Sequence, residues 1–202
     1  MASIVTLTNL VVGHTKRPEV GAITLAAIKS ALLRAHHTDF FPRDLSEVML
    51  SYAPSGSLQF YQNFDNLSTL APQLRSVKAL FSVDTVTLAH VEQLEYRDLD
   101  DLYDGNGAQR PGIYTLVGDT LRAYFQVWTG AAQLVYYRNP SVVGDVVNSW
   151  IADTYPDEIA AWAAGIVFAR TGFTEQAQGY QELHVKPFKE TLIASHLLGN
   201  VN

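Results

Sequence analysis

The sequence predicts an α+β fold in which N- and C-terminal helices pack as a small bundle with an antiparallel β insertion between them. Apolar residues recur at helical spacing near both ends, at Leu25, Ile28, Leu32 and Ala35 and again at Ile159, Trp162, Ala163, Ile166 and Val167. Between these stretches the period changes to two. Leu58, Phe60, Gln62 and Phe64 alternate with Gln59, Tyr61 and Asn63, as Leu121, Ala123, Phe125 and Val127 do with Arg122, Tyr124, Gln126 and Trp128. Turn signals punctuate the middle at Pro54-Ser55-Gly56, Gly118-Asp119 and Thr129-Gly130. The expected organisation is an N-terminal helical part (1–37), a β-rich insertion (38–140) and a C-terminal helical part (141–202) that forms one structural unit with the first.

A short, weakly patterned helix is expected around Ser3 to Val12, followed by a connection bracketed by Gly13 and Pro18. Pro18 suits a first helical turn, where its missing N–H costs nothing, and the helix should run to His36. Phe40-Phe41-Pro42 breaks it. Strands follow at Val48–Tyr52, Leu58–Phe64 and Arg75–Val83. The acidic stretch Val91–Tyr103 reads as containing a short helix with Leu94, Leu99 and Leu102 inward, and Asp104-Gly105-Asn106-Gly107 as a loop. Ile113–Val117 and Thr120–Trp128 form a hairpin, and Gln133–Arg138 a further strand. Thr154 and Asp157 have capping-box-like spacing before an Ala-rich helix that Gly172 should terminate. Thr174 should cap the final helix, in which Tyr180, Leu183, Phe188 and Leu192 pack and Pro187 forces a kink or a split.

The 202 residues suffice for one sizeable domain or two small ones. Only 17 % are charged against 48 % hydrophobic. Isolated soluble domains carry about a quarter charged residues, so part of this surface is expected to be covered by partners. A net charge of −6 argues against a general nucleic-acid binder, which needs a basic face to displace counterions. An acidic wall is nevertheless compatible with a channel along which DNA slides without sticking. The absence of cysteine excludes disulfides and thiolate metal sites. Met1-Ala2-Ser3-Ile4 lacks the basic, then apolar character of a signal peptide, and the longest apolar run, Ile159–Ala169, is too short to span a bilayer. A soluble protein made in the cytoplasm, with no membrane partner, is expected.

Chemistry-bearing patterns are sparse. His36-His37-x-Asp39 supplies metal-ligand types, but adjacent histidines diverge on a helix and no further ligand lies nearby in sequence. Asp98, Asp100, Asp101 and Asp104 are acidic enough for calcium yet lack the alternating spacing and terminal Glu of an EF-hand loop. There is no Gly-x-Ser-x-Gly elbow and no phosphate-binding Gly-rich loop ending in Lys-Ser/Thr. Glu92 and Glu95, three apart, do not place carboxylates across a cleft. No catalytic, cofactor-binding or metal residues are expected, and the chain reads as a non-enzyme. The stronger signal is aromatic: Tyr114, Tyr124, Trp128, Tyr136 and Tyr137 crowd a few strands, either as core and cross-strand pairs or as an interface.

One ordered series of motifs carries a resemblance. Gly118-Asp119-Thr120-Leu121-Arg122 precedes Leu134-Val135-Tyr136-Tyr137-Arg138-Asn139-Pro140, then Asn148-Ser149-Trp150-Ile151, then Thr154-Tyr155-Pro156-Asp157, an Ala-rich helix and a last helix. This order resembles the head-to-tail adaptor (connector) proteins of tailed bacteriophages, over the C-terminal half by motif and over the N-terminal half by layout. Pro187 departs from the family's uninterrupted final helix. The resemblance implies a structural virion protein at the head–tail junction, forming a homo-oligomeric ring, a dodecamer, beneath the portal protein. It implies a tail or tail-completion protein on the other side and genome DNA passing through the lumen without sequence-specific binding. It implies portal docking through Phe188, Leu192, Leu197 and Leu198 and inter-subunit contacts through Tyr124, Trp128, Tyr136 and Tyr137. The alternative is a ligand- or glycan-binding virion module, a tail or decoration protein, using an aromatic face.

Overall fold

The computed structural model describes residues 2–52, 61–102, 111–127 and 129–199, the side chains of 102 and 197–199 excepted. In chain order the elements are α1 (Ile4–Thr15), α2 (Gly21–His36), β1 (Leu45–Ser51), β2 (Tyr61–Phe64), α3 (Leu67–Leu70), β3 (Leu74–Asp84), β4 (His90–Tyr96), β5 (Ile113–Val117), β6 (Thr120–Tyr124), β7 (Gly130–Arg138), β8 (Ser141–Val143), β9 (Val146–Asn148), α4 (Trp150–Thr154), α5 (Pro156–Arg170), α6 (Thr174–Tyr180) and α7 (Lys186–Gly199). They fall into two compact units, Met1–Asp44 with Asn139–Asn202, and Leu45–Arg138. No helix among the described residues is long and apolar enough to cross a membrane.

In the first unit, Ser3 caps α1 by accepting a hydrogen bond from the Thr6 amide at 3.0 Å. Lys16, in the left-handed region, ends the helix by donating to the Val12 carbonyl at 2.8 Å. The start of α1 is tied to the β8–β9 hairpin, because Ile4 N donates to Asp145 O at 2.9 Å and Val147 N to Ala2 O at 3.2 Å. Pro18 opens a 3-10 turn (Pro18–Val20) that leads into α2. The buried stripe of α2 runs Thr24, Ala27, Ile28, Ala31, Leu32, Ala35, His36, and Leu25, expected inside, is 40 % exposed. Alanines explain the difference. Ala27, Ala31 and Ala35 join Ala160, Ala163 and Ala164 of α5 in one core, which lets the two backbones approach closely and rotates the larger Leu25 out.

The C-terminal segment is helical from Thr174 to Gly199, with one π turn inside it. Thr174 opens α6, but no side chain caps it. A π turn, Gln181–Val185, separates α6 from α7, and Pro187 is the second residue of α7. Proline has no N–H for the carbonyl four residues back and its ring would clash there, so the wider turn relieves the conflict.

The second unit is one seven-stranded sheet in the order β1-β7-β3-β4-β5-β6-β2, curled as a half-barrel. Its core gathers Leu50, Phe64, Leu80, Leu94, Tyr114, Leu121, Phe125, Leu134 and Tyr136, with Leu67 of α3. The sheet is mixed. β4 and β5 run parallel, Glu95 opposite Ile113 and Tyr96 opposite Tyr114, while the other neighbours are antiparallel. Gly112 makes that junction: its φ is +81°, and a Cβ there would meet Gln126 Nε2 at 2.7 Å.

The expected fold class is therefore corrected. This is a mixed α/β protein with a curled seven-stranded sheet, not a small helical bundle around an antiparallel β insertion. The Val91–Tyr103 stretch, expected to contain a short helix, begins as strand β4 through Tyr96 and then holds a short 3-10 helix at Leu99–Leu102. Apolar spacing over three leucines had suggested a helix, but only Leu94 of this strand is buried. The Asp104–Gly107 loop and the first three residues of the Leu58–Phe64 strand lie outside the described residues, and Tyr61–Phe64 form β2.

Candidate functional site

The sequence-predicted contact residues divide by burial. Tyr124 and Tyr136 are each 3 % exposed, Tyr124 against Tyr61 with ring centres 4.5 Å apart, and Tyr136 within the sheet core. Tyr137 is half-buried beneath the Arg75 guanidinium at 5.5 Å, and Trp128 lies outside the described residues. Phe188 and Leu192 are buried in the helical core, Phe188 edge-on to Tyr155 and Trp162. The side chains of Leu197 and Leu198 lie outside the description. Among the described residues no group of His, Asp and Glu could hold a metal ion, and Asp104 is not among them.

The helical unit does hold a Ser-His-Asp series that no local pattern announces. His36, at the end of α2, lies 2.8 Å through Nδ1 from Asp44 Oδ1 and 2.8 Å through Nε2 from Ser149 Oγ. Asp44 accepts only, so Nδ1 carries a proton, and in the neutral ring Nε2 accepts from the Ser149 hydroxyl. Ser149 is the N-cap of α4 and accepts from the Ala152 amide at 3.2 Å. Trp150 Nε1–H donates to the same Asp44 oxygen at 2.8 Å. The hydrogen bonds run in one consistent direction and tie three chain segments together. A nucleophile needs open approach to its oxygen. Ser149 is 4 % exposed and its oxygen is engaged as both donor and acceptor, so this geometry works as a buried polar clasp.

Beside the clasp is a cleft of about 360 Å³, walled by Phe41, Trp150 and Tyr155, with Arg43, Ser195 and His196 at its polar side. Arg43 stacks over Trp150 at 5.2 Å, and His196 Nδ1 pairs with Asp39 at 2.6 Å. Such a site suits a flat or apolar group carrying an acceptor.

The sheet unit offers a different feature, the turn joining β3 to β4. Asp84 Oδ1 accepts from the Val86 amide at 2.9 Å and the Thr87 amide at 2.7 Å. These two bonds, backbone donors to an ionised oxygen, hold the Asp84 carboxyl below its ordinary range. The Asp84 backbone closes the turn from both sides, accepting from Leu88 N at 2.9 Å and donating to Ala89 O at 3.0 Å. The result pins Leu88 at φ +57°, a region bulky residues avoid. It also projects Val86 and Leu88 into solvent, 89 % and 68 % exposed. Reading the sequence missed this tip. Its signal was two aliphatics in a connector without Gly, Pro or Asn, where turn residues are the rule.

No protein-family model matches the chain, and no curated protein matches it.

Proposed function

We propose that this chain is a structural virion protein, a head-to-tail adaptor that forms a ring beneath the portal, joins capsid to tail and lets genome DNA pass through its lumen. The observation that carries the reading, beside the motif order, is the β3–β4 tip. A turn held by four hydrogen bonds, with a leucine forced into the left-handed region, presents two aliphatic side chains to solvent. Strain of this kind persists where a function uses the conformation, and a rigid apolar knob suits permanent insertion into a neighbouring subunit. Val143 at the β8–β9 turn and Leu183 in the π turn are also prominently exposed aliphatics, as a protein with several neighbours requires. The portal, the tail or tail-completion protein and further copies of the chain are the partners of this reading. The test is genetic. Particles assembled without the chain should accumulate as heads that package DNA and carry no tail. Tailed, infectious particles without it would overturn the proposal.

The cleft beside Trp150 favours one alternative, a ligand- or glycan-binding virion module. That reading requires Trp150 fluorescence to change on adding the sugar or anion, which the adaptor reading does not.

A further inference from the structure

We infer that the β3–β4 tip of one copy seats in the groove beside α2 of the next copy, Val86 and Leu88 against Leu33, Pro140 and Val142. The inference rests on the adaptor reading, since it describes how that ring closes. The tip is not seated on its own chain, because Val86 is 89 % exposed. The groove is of a size for two aliphatic side chains, about 260 Å³, and its lining of Leu32, Leu33, Pro140 and Val142 is aliphatic throughout except for Lys29. Leu33 on the groove and Val143 at the adjoining turn are themselves exposed, so apolar surface waits on both sides of the contact.

Charge matches as well. The base of the knob is the Asp84 carboxylate, held ionised by two backbone donors. The wall of the groove carries the Lys29 ammonium, which pairs with no carboxylate among the described residues. An ionised acid entering beside that ammonium fixes the orientation of the knob. Knob and groove are different surfaces of one chain, so the contact is head-to-tail. Repeated by a rotation that closes, such a contact makes a ring rather than a two-fold dimer.

The chain has no cysteine, which makes the test direct. Val86→Cys and Leu33→Cys are made in separate chains, mixed, assembled on the portal protein from the same genome and oxidised mildly. A disulfide-linked dimer is expected in the mixture and in neither variant alone. In parallel, Val86→Asp/Leu88→Asp should fold like wild type, because both residues are exposed, and should weaken ring formation about 100-fold or more. If the wild-type chain forms no ring of fixed stoichiometry, the adaptor reading fails and takes this inference with it. If wild type forms the ring, but the mixture does not cross-link and the double aspartate variant assembles normally, the inference alone is overturned. A double variant that forms rings but joins no tails overturns it too, since the tip then serves another protein.

Discussion

Replacing Asp44 with alanine should destabilise the helical unit severely. The side chain is 2 % exposed and one oxygen accepts two hydrogen bonds of 2.8 Å, from His36 Nδ1 and Trp150 Nε1. Alanine leaves both donors without their acceptor in a largely buried site. Each orphaned buried donor costs about 1–3 kcal/mol, so the pair costs roughly 2–6 kcal/mol. Trp150 is only part-buried, which places the expectation in the lower half of that range. For a chain of this size a loss of about 3 kcal/mol lowers Tm by roughly 6–12 °C. The assay is urea denaturation followed by tryptophan fluorescence and far-UV circular dichroism, with Glu182→Ala as control. Glu182 faces Lys186 across 4.0 Å on an exposed helix surface, and its removal should cost under about 0.5 kcal/mol. A loss below about 1 kcal/mol for Asp44→Ala would refute the clasp as a stabilising network.

Three further outcomes follow from the same geometry. A fluorophosphonate should leave Ser149 unlabelled in the folded protein, despite its His36 and Asp44 neighbours, because its oxygen is buried and engaged; stoichiometric labelling read by mass spectrometry would revive a hydrolase. Burial raises the Tyr114 phenol above its ordinary value of 10.0, with a smaller push from Tyr96. The unfolded chain therefore loses this proton first as pH rises, so the contribution is complete below pH 10 and is lost as pH climbs through the folded value. Tyr114→Phe should flatten the decline of unfolding free energy above pH 10, and an unchanged slope would contradict the assignment. Ala31→Leu forces a larger side chain into the alanine-lined contact of α2 with α5 and should cost about 1–3 kcal/mol or more in the same denaturation assay.

Local periodicity made most helices and several strands legible. Ile28, Leu32 and Ala35 are buried as their spacing on α2 indicates, and Ile159, Trp162, Ala163 and Val167 are buried on α5. Periodicity failed where small residues decide the packing: alanines took the inner face of α2 and left Leu25 outside. It failed again at β4, whose single buried leucine cannot distinguish a strand from a helix. Sheet order is a matter of long-range pairing, so nothing local announced that β4 lies beside β5 in parallel register, and the fold class was misread there. The clasp was illegible for the same reason, because His36 and Ser149 stand 113 residues apart. The exposed tip was legible in principle, as Val86 and Leu88 in an Asp84-anchored connector, but the hydrogen bonds that fix its conformation leave no periodic pattern in the sequence.

We propose that this chain assembles as a ring on a portal, and the mass of the assembly is the quantity to measure first. Light scattering of the purified protein, alone and then mixed with portal assemblies from the same genome, gives the number of copies bound. A ring of fixed stoichiometry on the portal, a dodecamer, is expected. A stable monomer or trimer that binds no portal would contradict it and move the weight to the ligand-binding virion module.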